Sequence, residues 1–234
     1  MDKEKHVYNV FEAVAGGYDS ANARISLGLH LRWKRAAADF VLTAVPPDGR
    51  VLDLCCGTGD IAALLLESRG DISVTGLDFS PAMLAVACER FSGDSRVALK
   101  QGNALALPFE DASFDGAVIS FGLRNTSDYG RVLAETARVV RPGGLVCCID
   151  SFTPGSKLVR PFYALYFTRL MPLLGGGTRH RREYLWLSRS TGDFIPAREL
   201  SLLMREKGLR KVKEKRYMMG ASVCLCAVKE SAPP

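Results

Sequence analysis

Nowhere does the chain run apolar for the roughly 20 residues that a bilayer-spanning helix needs. The longest candidate, Leu158 to Leu174, is interrupted by Arg160, Pro161, Arg169 and Pro172. Metal and disulfide signatures are equally sparse. There are 3 histidines, and the 7 cysteines, at 55, 56, 88, 147, 148, 224 and 226, include no Cys-x-x-Cys and no histidine at ligand spacing. That spacing predicts no metal site, and thiols set in apolar runs read as reduced core residues of a reducing cytosol. The opening Met1-Asp2-Lys3-Glu4-Lys5-His6 is charged and leads into no long apolar segment, so neither a signal peptide nor a membrane anchor is expected there. No internal repeat or low-complexity tract occurs, which sets aside solenoids and disordered arrays. A net charge of +6 does not favour nucleic acid, although it allows attraction to anionic membrane surfaces or acidic ligands.

What the chain does have is a core. With 47% hydrophobic residues in 234, it can bury one substantial interior, which predicts a single domain with embellishments. The organising stretch is Val51-Leu52-Asp53-Leu54-Cys55-Cys56-Gly57-Thr58-Gly59-Asp60: an apolar strand, a turn carrying Gly57 and Gly59, then helical spacing. Glycines let a ligand lie against the backbone, and the following helix offers free N–H groups, so a nucleotide is expected there. Gly57-Thr58-Gly59-Asp60-Ile61-Ala62 also fits the dinucleotide pattern, so the cofactor has to be named by the rest of the chain.

Before that turn, residues 1–47 read as a helical cap. Val7, Val10, Phe11 and Val14 share one helical face, Tyr18 to Gly28 reads as a polar connecting loop, and Leu31 to Val45 forms a second amphipathic run stopped by Pro46-Pro47. Residues 48–150 alternate strand and helix as a cofactor-binding core. Strands are expected at Ile72–Asp78, Val97–Gln101, Ser113–Ser120 and Leu145–Asp150, the last entered by a turn at Arg141-Pro142-Gly143-Gly144. Ser80 and Pro81 mark a helix start. Asp78, about 20 residues past the glycine turn, is placed to accept hydrogen bonds from two ribose hydroxyls. Asn103 follows a strand end with an amide suited to the edge of a neutral purine, or to a plain turn. Ser120 ends a strand at the edge where open α/β sheets bind ligands.

Residues 151–195 break the alternation with a Phe-, Tyr-, Leu- and Met-rich stretch and the basic run Arg179-His180-Arg181-Arg182. An apolar face beside a basic cluster is the composition of an interfacial segment that meets a lipid-like substrate or a membrane surface. Core packing and a homodimer contact are the other uses open to it. Residues 196–230 supply a helix, then two strands about Gly220, completing the sheet with an antiparallel edge.

Two cofactor readings compete. A nicotinamide dehydrogenase would share the glycines and Asp78, but it needs a second mononucleotide half for which this chain is short. Asp53 in the first strand, Gly57 and Gly59, Asp78, Asn103 and the Arg-Pro-Gly-Gly turn, in that order, instead resemble the class I S-adenosylmethionine-dependent methyltransferases. That resemblance implies a Rossmann-like, seven-stranded, mostly parallel sheet. More narrowly, Tyr18-Asp19-x-x-Asn22, Ser26-x-Gly28-x-His30-x-x-Trp33-Lys34, Leu107-Pro108-Phe109 and above all Ile119-Ser120-Phe121-Gly122-Leu123-Arg124-Asn125 look like the C-methyltransferases of menaquinone and ubiquinone biosynthesis.

The cofactor-binding set expected from this pattern is Asp53, Gly57, Thr58, Gly59, Asp78, Asn103, Ala104 and Ser120; the resemblance implies that Thr58, Asp78, Asn103, Ala104 and Ser120 contact the cofactor and that 151–195 receives a polyprenyl quinol. Three positions depart from the family pattern: Trp186 for a Tyr, Arg189 for a Glu and Cys226 for a His. They keep open which quinone is used, and whether another small molecule is the acceptor. A quinol carbon needs electron density from a neighbouring oxygen, which calls for a base or a cation facing the methyl group. Arg124 and Asn125 are the candidates for that oxygen, with Tyr18 and His30 behind them for proton transfer.

Overall fold

The computed structural model describes residues 3–177 and 180–231; Arg179 of the basic run lies outside them. The helical cap comprises α1 (Lys3–Val14), α2 (Tyr18–Ser26) and α3 (Leu29–Leu42). The core follows as β1 (Arg50–Leu54), α4 (Asp60–Ser68), β2 (Ser73–Asp78), α5 (Pro81–Arg90), β3 (Val97–Gln101), β4 (Phe114–Ser120), α6 (Tyr129–Val139) and β5 (Val140–Ser151). The insertion is a helix running through α7 (Arg160–Leu165), a π-turn at Tyr166–Leu170 and α8 (Met171–Gly176), then α9 (Arg181–Gly192). The chain closes with α10 (Ala197–Glu206), β6 (Leu209–Tyr217) and β7 (Ser222–Lys229).

One seven-stranded sheet has the order β3-β2-β1-β4-β5-β7-β6. The first five strands pair in parallel, whereas β7 runs antiparallel to both β5 and β6, so the antiparallel edge is a hairpin. Its inner strands are apolar on both faces because both are covered. Val51, Leu52 and Leu54 of β1 and Ala117, Val118 and Ile119 of β4 are all buried. On one face α3 and α4 pack Ala38, Val41, Ile61 and Leu65 against the sheet; on the other, α6 and α10 pack Val132, Leu133, Leu200 and Met204. Helix starts follow side-chain capping: Ser80 accepts from the Met83 N–H with Pro81 in the first turn, and Asp128 accepts from the Arg131 N–H.

Two local expectations are corrected. Tyr18 to Gly28 is not a loop. Its residues through Ser26 form α2, because Ala21 is buried and Ile25 packs into a third apolar cluster with Met171, Tyr184 and Leu187 of the insertion. Tertiary packing thus overrides a locally polar composition. The Arg141-Pro142-Gly143-Gly144 turn lies inside β5 rather than before it. Val140 pairs with Phe114 and Leu145 with Gly116, so the intervening residues bulge out, with Gly143 at φ 82°.

Cap and insertion close together over the carboxyl ends of the parallel strands. Arg24 Nε donates to the Leu174 carbonyl at 2.9 Å, and the Tyr166 hydroxyl donates to the Ile25 carbonyl. That cover, standing on the strand ends, defines the site.

Candidate active site

Two cavities lie under the cover. The smaller, about 100 Å³, runs along the strand ends and is lined by Gly57, Asp78, Asn103, Ala104, Ser120 and Asn125, with Glu4 and Phe11 of α1 across it. The larger, about 580 Å³, lies between cap and insertion; Arg124, His30, Trp33, Tyr163 and Phe167 line it. Tyr18 and Phe121 line both.

Phe121 makes this partition at a conformational cost. Its φ is 55°, a genuine outlier for an aromatic residue, and Cys55 nearby sits at φ 59°. The Phe121 N–H is held by the Ile149 carbonyl at 2.7 Å. Gly122 permits the arrangement, because a Cβ there would come within 2.4 Å of the Cys55 Cβ.

The glycine turn is built from behind. Asp53 is fully buried and does not line either cavity; its Oδ2 accepts from the Ala62 N–H at 3.1 Å while Oδ1 has no partner. Burial raises its pKa to about 7, with Lys34 pulling the other way. The expectation that Asp53 touches the cofactor is therefore corrected: it holds the turn in shape. Thr58 and Gly59 also stay out of the cleft. The Thr58 hydroxyl donates to Asp19 of α2 at 2.6 Å, and Gly59, at φ 86°, is backed by the Phe91 ring. Gly57 alone of the three faces the open cleft, with nothing within 4 Å of where a Cβ would stand.

Asp78 sits where the sequence puts it. Its oxygens accept from the Gly57 N–H at 2.8 Å and the Ser80 N–H at 2.9 Å, which leaves carboxylate lone pairs for a ligand. Burial raises its pKa, opposed by those N–H groups. Asn103 uses Oδ1 to accept from the Leu105 N–H, so its turn role is real, while its amide nitrogen is left over. The Ser120 hydroxyl and Asn125 Oδ1 are buried without partners, although both residues border the cleft. Buried polar atoms without partners are costly, which makes these two candidates for a ligand contact.

Arg124 is both ion pair and lining residue. Its guanidinium meets Asp150 Oδ1 at 2.5 Å and the Phe121 carbonyl at 2.9 Å, and its N–H donates to Asp150 Oδ2. Its Nε has no partner. Asp150 went unread in the sequence, yet the signal that marks Asp78 marks it too: an acid at the carboxyl end of a strand. His30 Nδ1 lies 2.6 Å from the Ser26 hydroxyl; burial and then Lys34 lower its pKa, which keeps the ring neutral at pH 7. Lys34, buried, pairs with Asp60 at 2.9 Å, and Arg90 joins Asp60 at 2.8 Å to Asp19 at 2.6 Å. Although burial opposes its charge, Asp60 is held down to about 2 by these cations.

Helix α1 straps the smaller cavity. At one end Lys3 Nζ donates to the Arg124 and Thr126 carbonyls, at 3.1 and 2.6 Å; at the other Glu12 accepts from the Ser80 hydroxyl and the Ala82 N–H. Trp186, one of the departures, packs on this strap, its ring 5.1 Å from that of His6.

A parallel sheet with β7 inserted antiparallel, a glycine turn after β1 and an acid ending β2 make this a class I S-adenosylmethionine-dependent methyltransferase, not the all-parallel dinucleotide fold. Solved methyltransferases share the architecture. One from Thermotoga maritima aligns with TM-score 0.64 at 23% identity over 96% of this chain and 100% of its own, and one from Aquifex aeolicus with 0.59 at 17% over 82% and 89%. The chain belongs to the ubiE/COQ5 methyltransferase family, whose profile matches residues 1–229. Among its relatives are demethylmenaquinone methyltransferases of Lysinibacillus sphaericus, 39% identical over 94% of both chains, and of Bacillus cytotoxicus, 39% identical over 98% of both.

Proposed function

We propose that the protein C-methylates a reduced polyprenyl quinone precursor, converting demethylmenaquinol to menaquinol or a ubiquinol precursor to its methylated form. The observation that carries this reading is the pair of cavities that share Tyr18 and Phe121 in their lining, the larger one apolar and roomy enough for a bicyclic quinol. S-adenosylmethionine supplies a methyl group already activated on a sulfonium, so the protein's work is alignment and the handling of one oxygen and one proton.

Under this proposal Asp78 accepts from the ribose hydroxyls, and the Asn103 amide with Ala104 borders the adenine. The open face at Gly57 lets the cofactor lie on the backbone, and the Ser120 hydroxyl finds its missing partner there. Asp53, Thr58 and Gly59 shape the turn. On the acceptor side, the Arg124 guanidinium, paired with Asp150, orients the quinol oxygen beside the reacting carbon, and the Asn125 amide reaches toward it from the smaller cavity, which that residue lines. That cation favours the phenolate, which pushes electron density onto the carbon. Neutral His30 is the proposed acceptor of the ring proton, directly or relayed through the Tyr18 hydroxyl, which passes its own proton on as it accepts one.

The same proposal seats the insertion on a membrane. Leu27, Leu158, Phe162 and Met219 are exposed at 84%, 84%, 76% and 75%, and Leu27, Phe162 and Met219 also edge the larger cavity. Lys157 and Arg160 stand among them, and no helix among the described residues is long and apolar enough to cross a bilayer. An apolar mouth with basic neighbours fits an interfacial seat from which a prenyl tail enters without crossing water. The deciding experiment supplies methyl-labelled cofactor with reduced demethylmenaquinone and, separately, a demethylated ubiquinol precursor. Label in one of the two names the acceptor; label in neither turns the reading toward another small molecule.

A further inference from the structure

The sequence spacing predicts no metal site, yet the sheet assembles a set of ligands that spacing does not reveal. Cys224 and Cys226, two residues apart on β7, point to one face, and Cys147 of β5 is the register partner of Cys226. The three sulfurs lie within 4.8 Å of one another, with Cys224 and Cys226 at 3.6 Å, and all three residues are buried. A trigonal ion with metal–sulfur bonds of about 2.3 Å needs its sulfurs about 4 Å apart.

Charge and polarity around the set agree with this. Lys213 and Lys215 of β6 are the register partners of Cys226 and Cys224, so two ammonium groups flank the sulfurs from the next strand. On the same strand as these lysines, the Tyr217 hydroxyl is buried with no partner. Among the described residues no histidine or carboxylate joins the three sulfurs, so the set has no fourth ligand of the kind a tetrahedral zinc site uses.

We propose that Cys147, Cys224 and Cys226 form a binding site for a soft monovalent cation of the copper(I) class, held by three thiolate sulfurs at the junction of β5 and β7. Thiolate donors select soft ions, and the two lysines offset the charge of a trithiolate complex. Binding releases the thiol protons to solvent, so affinity rises with pH. Bound there, the ion ties the hairpin to the central sheet and braces the turn whose Met218 and Met219 edge the larger cavity.

The test uses the full chain, reduced and kept anaerobic, with Cys88→Ser to remove the exposed thiol. Titration with copper(I) against a chromophoric copper(I) chelator is expected to show one equivalent bound, and X-ray absorption three sulfurs at about 2.3 Å. Cys226→Ser is expected to weaken binding on the order of 100-fold. Because serine in this core can unfold the chain, the coordination measured with all three cysteines present decides. No stoichiometric binding, two sulfurs, or nitrogen or oxygen in the shell overturns the proposal.

Discussion

Asp53→Asn tests how the glycine turn is held. In the native protein this fully buried carboxyl titrates near 7, against 3.8 as the ordinary value, with burial as the main cause. A carboxyl whose folded pKa is raised stabilises the fold while it is protonated, fully so below pH 4, and that contribution is lost as pH rises through about 7. Between pH 5 and pH 8 most of it disappears. At 1.36 kcal/mol per pKa unit, roughly two units of difference at pH 5 give about 3 kcal/mol, falling to almost nothing at pH 8. The asparagine variant carries no titrating proton, so urea midpoints measured across this window should show native stability dropping relative to the variant by about 3 kcal/mol, or about 1 M urea at a slope of 2–3 kcal/mol/M. Asp60 does not interfere, because Lys34 and Arg90 hold it at about 2 and its contribution is lost only in stronger acid. Parallel stability curves for the two proteins would refute the buried, protonated carboxyl.

Three further outcomes are expected. Asp78→Ala removes the proposed acceptor of two ribose hydroxyls, bonds of roughly 1.5–3 kcal/mol each, so calorimetric affinity for S-adenosylmethionine should fall on the order of 100-fold or more; unchanged affinity removes the ribose role. Arg124→Lys should keep cofactor affinity while turnover falls at least about tenfold, because a point charge does not replace the planar fork; normal turnover takes Arg124 out of the mechanism. Arg124→Ala would blur that result, since it strands the buried Asp150 at a cost of about 3–5 kcal/mol. Finally, the protein should float with liposomes containing anionic lipid, and Leu158→Ser with Phe162→Ser should abolish flotation; a native protein left at the bottom of the gradient defeats the membrane seat.

What the sequence disclosed follows how local each signal is. The strand–turn–helix at 51–60, the Ser80-Pro81 helix start and the acid at Asp78 are set by neighbours within a few residues, and they stand where the pattern places them. The duties of Asp53 and Thr58 depend on the Ala62 N–H and on Asp19, partners 9 and 39 residues away, which the motif resemblance that assigns both to the cofactor does not show. Helix α2 was misread because its apolar partners sit in the insertion about 150 residues on. The strained φ of Phe121, which lines both cavities, leaves no mark in composition.

The strap across the smaller cavity carries a consequence for cofactor exchange. Helix α1 is fastened at both ends, by Lys3 to the carbonyls after β4 and by Glu12 to the start of α5, directly over the proposed cofactor bed. If a nucleoside leaves that bed past α1, it disturbs hydrogen bonds that end on the Arg124 carbonyl and the Ser80 hydroxyl, so under the proposed function cofactor exchange is coupled to residues that border the cofactor and the acceptor.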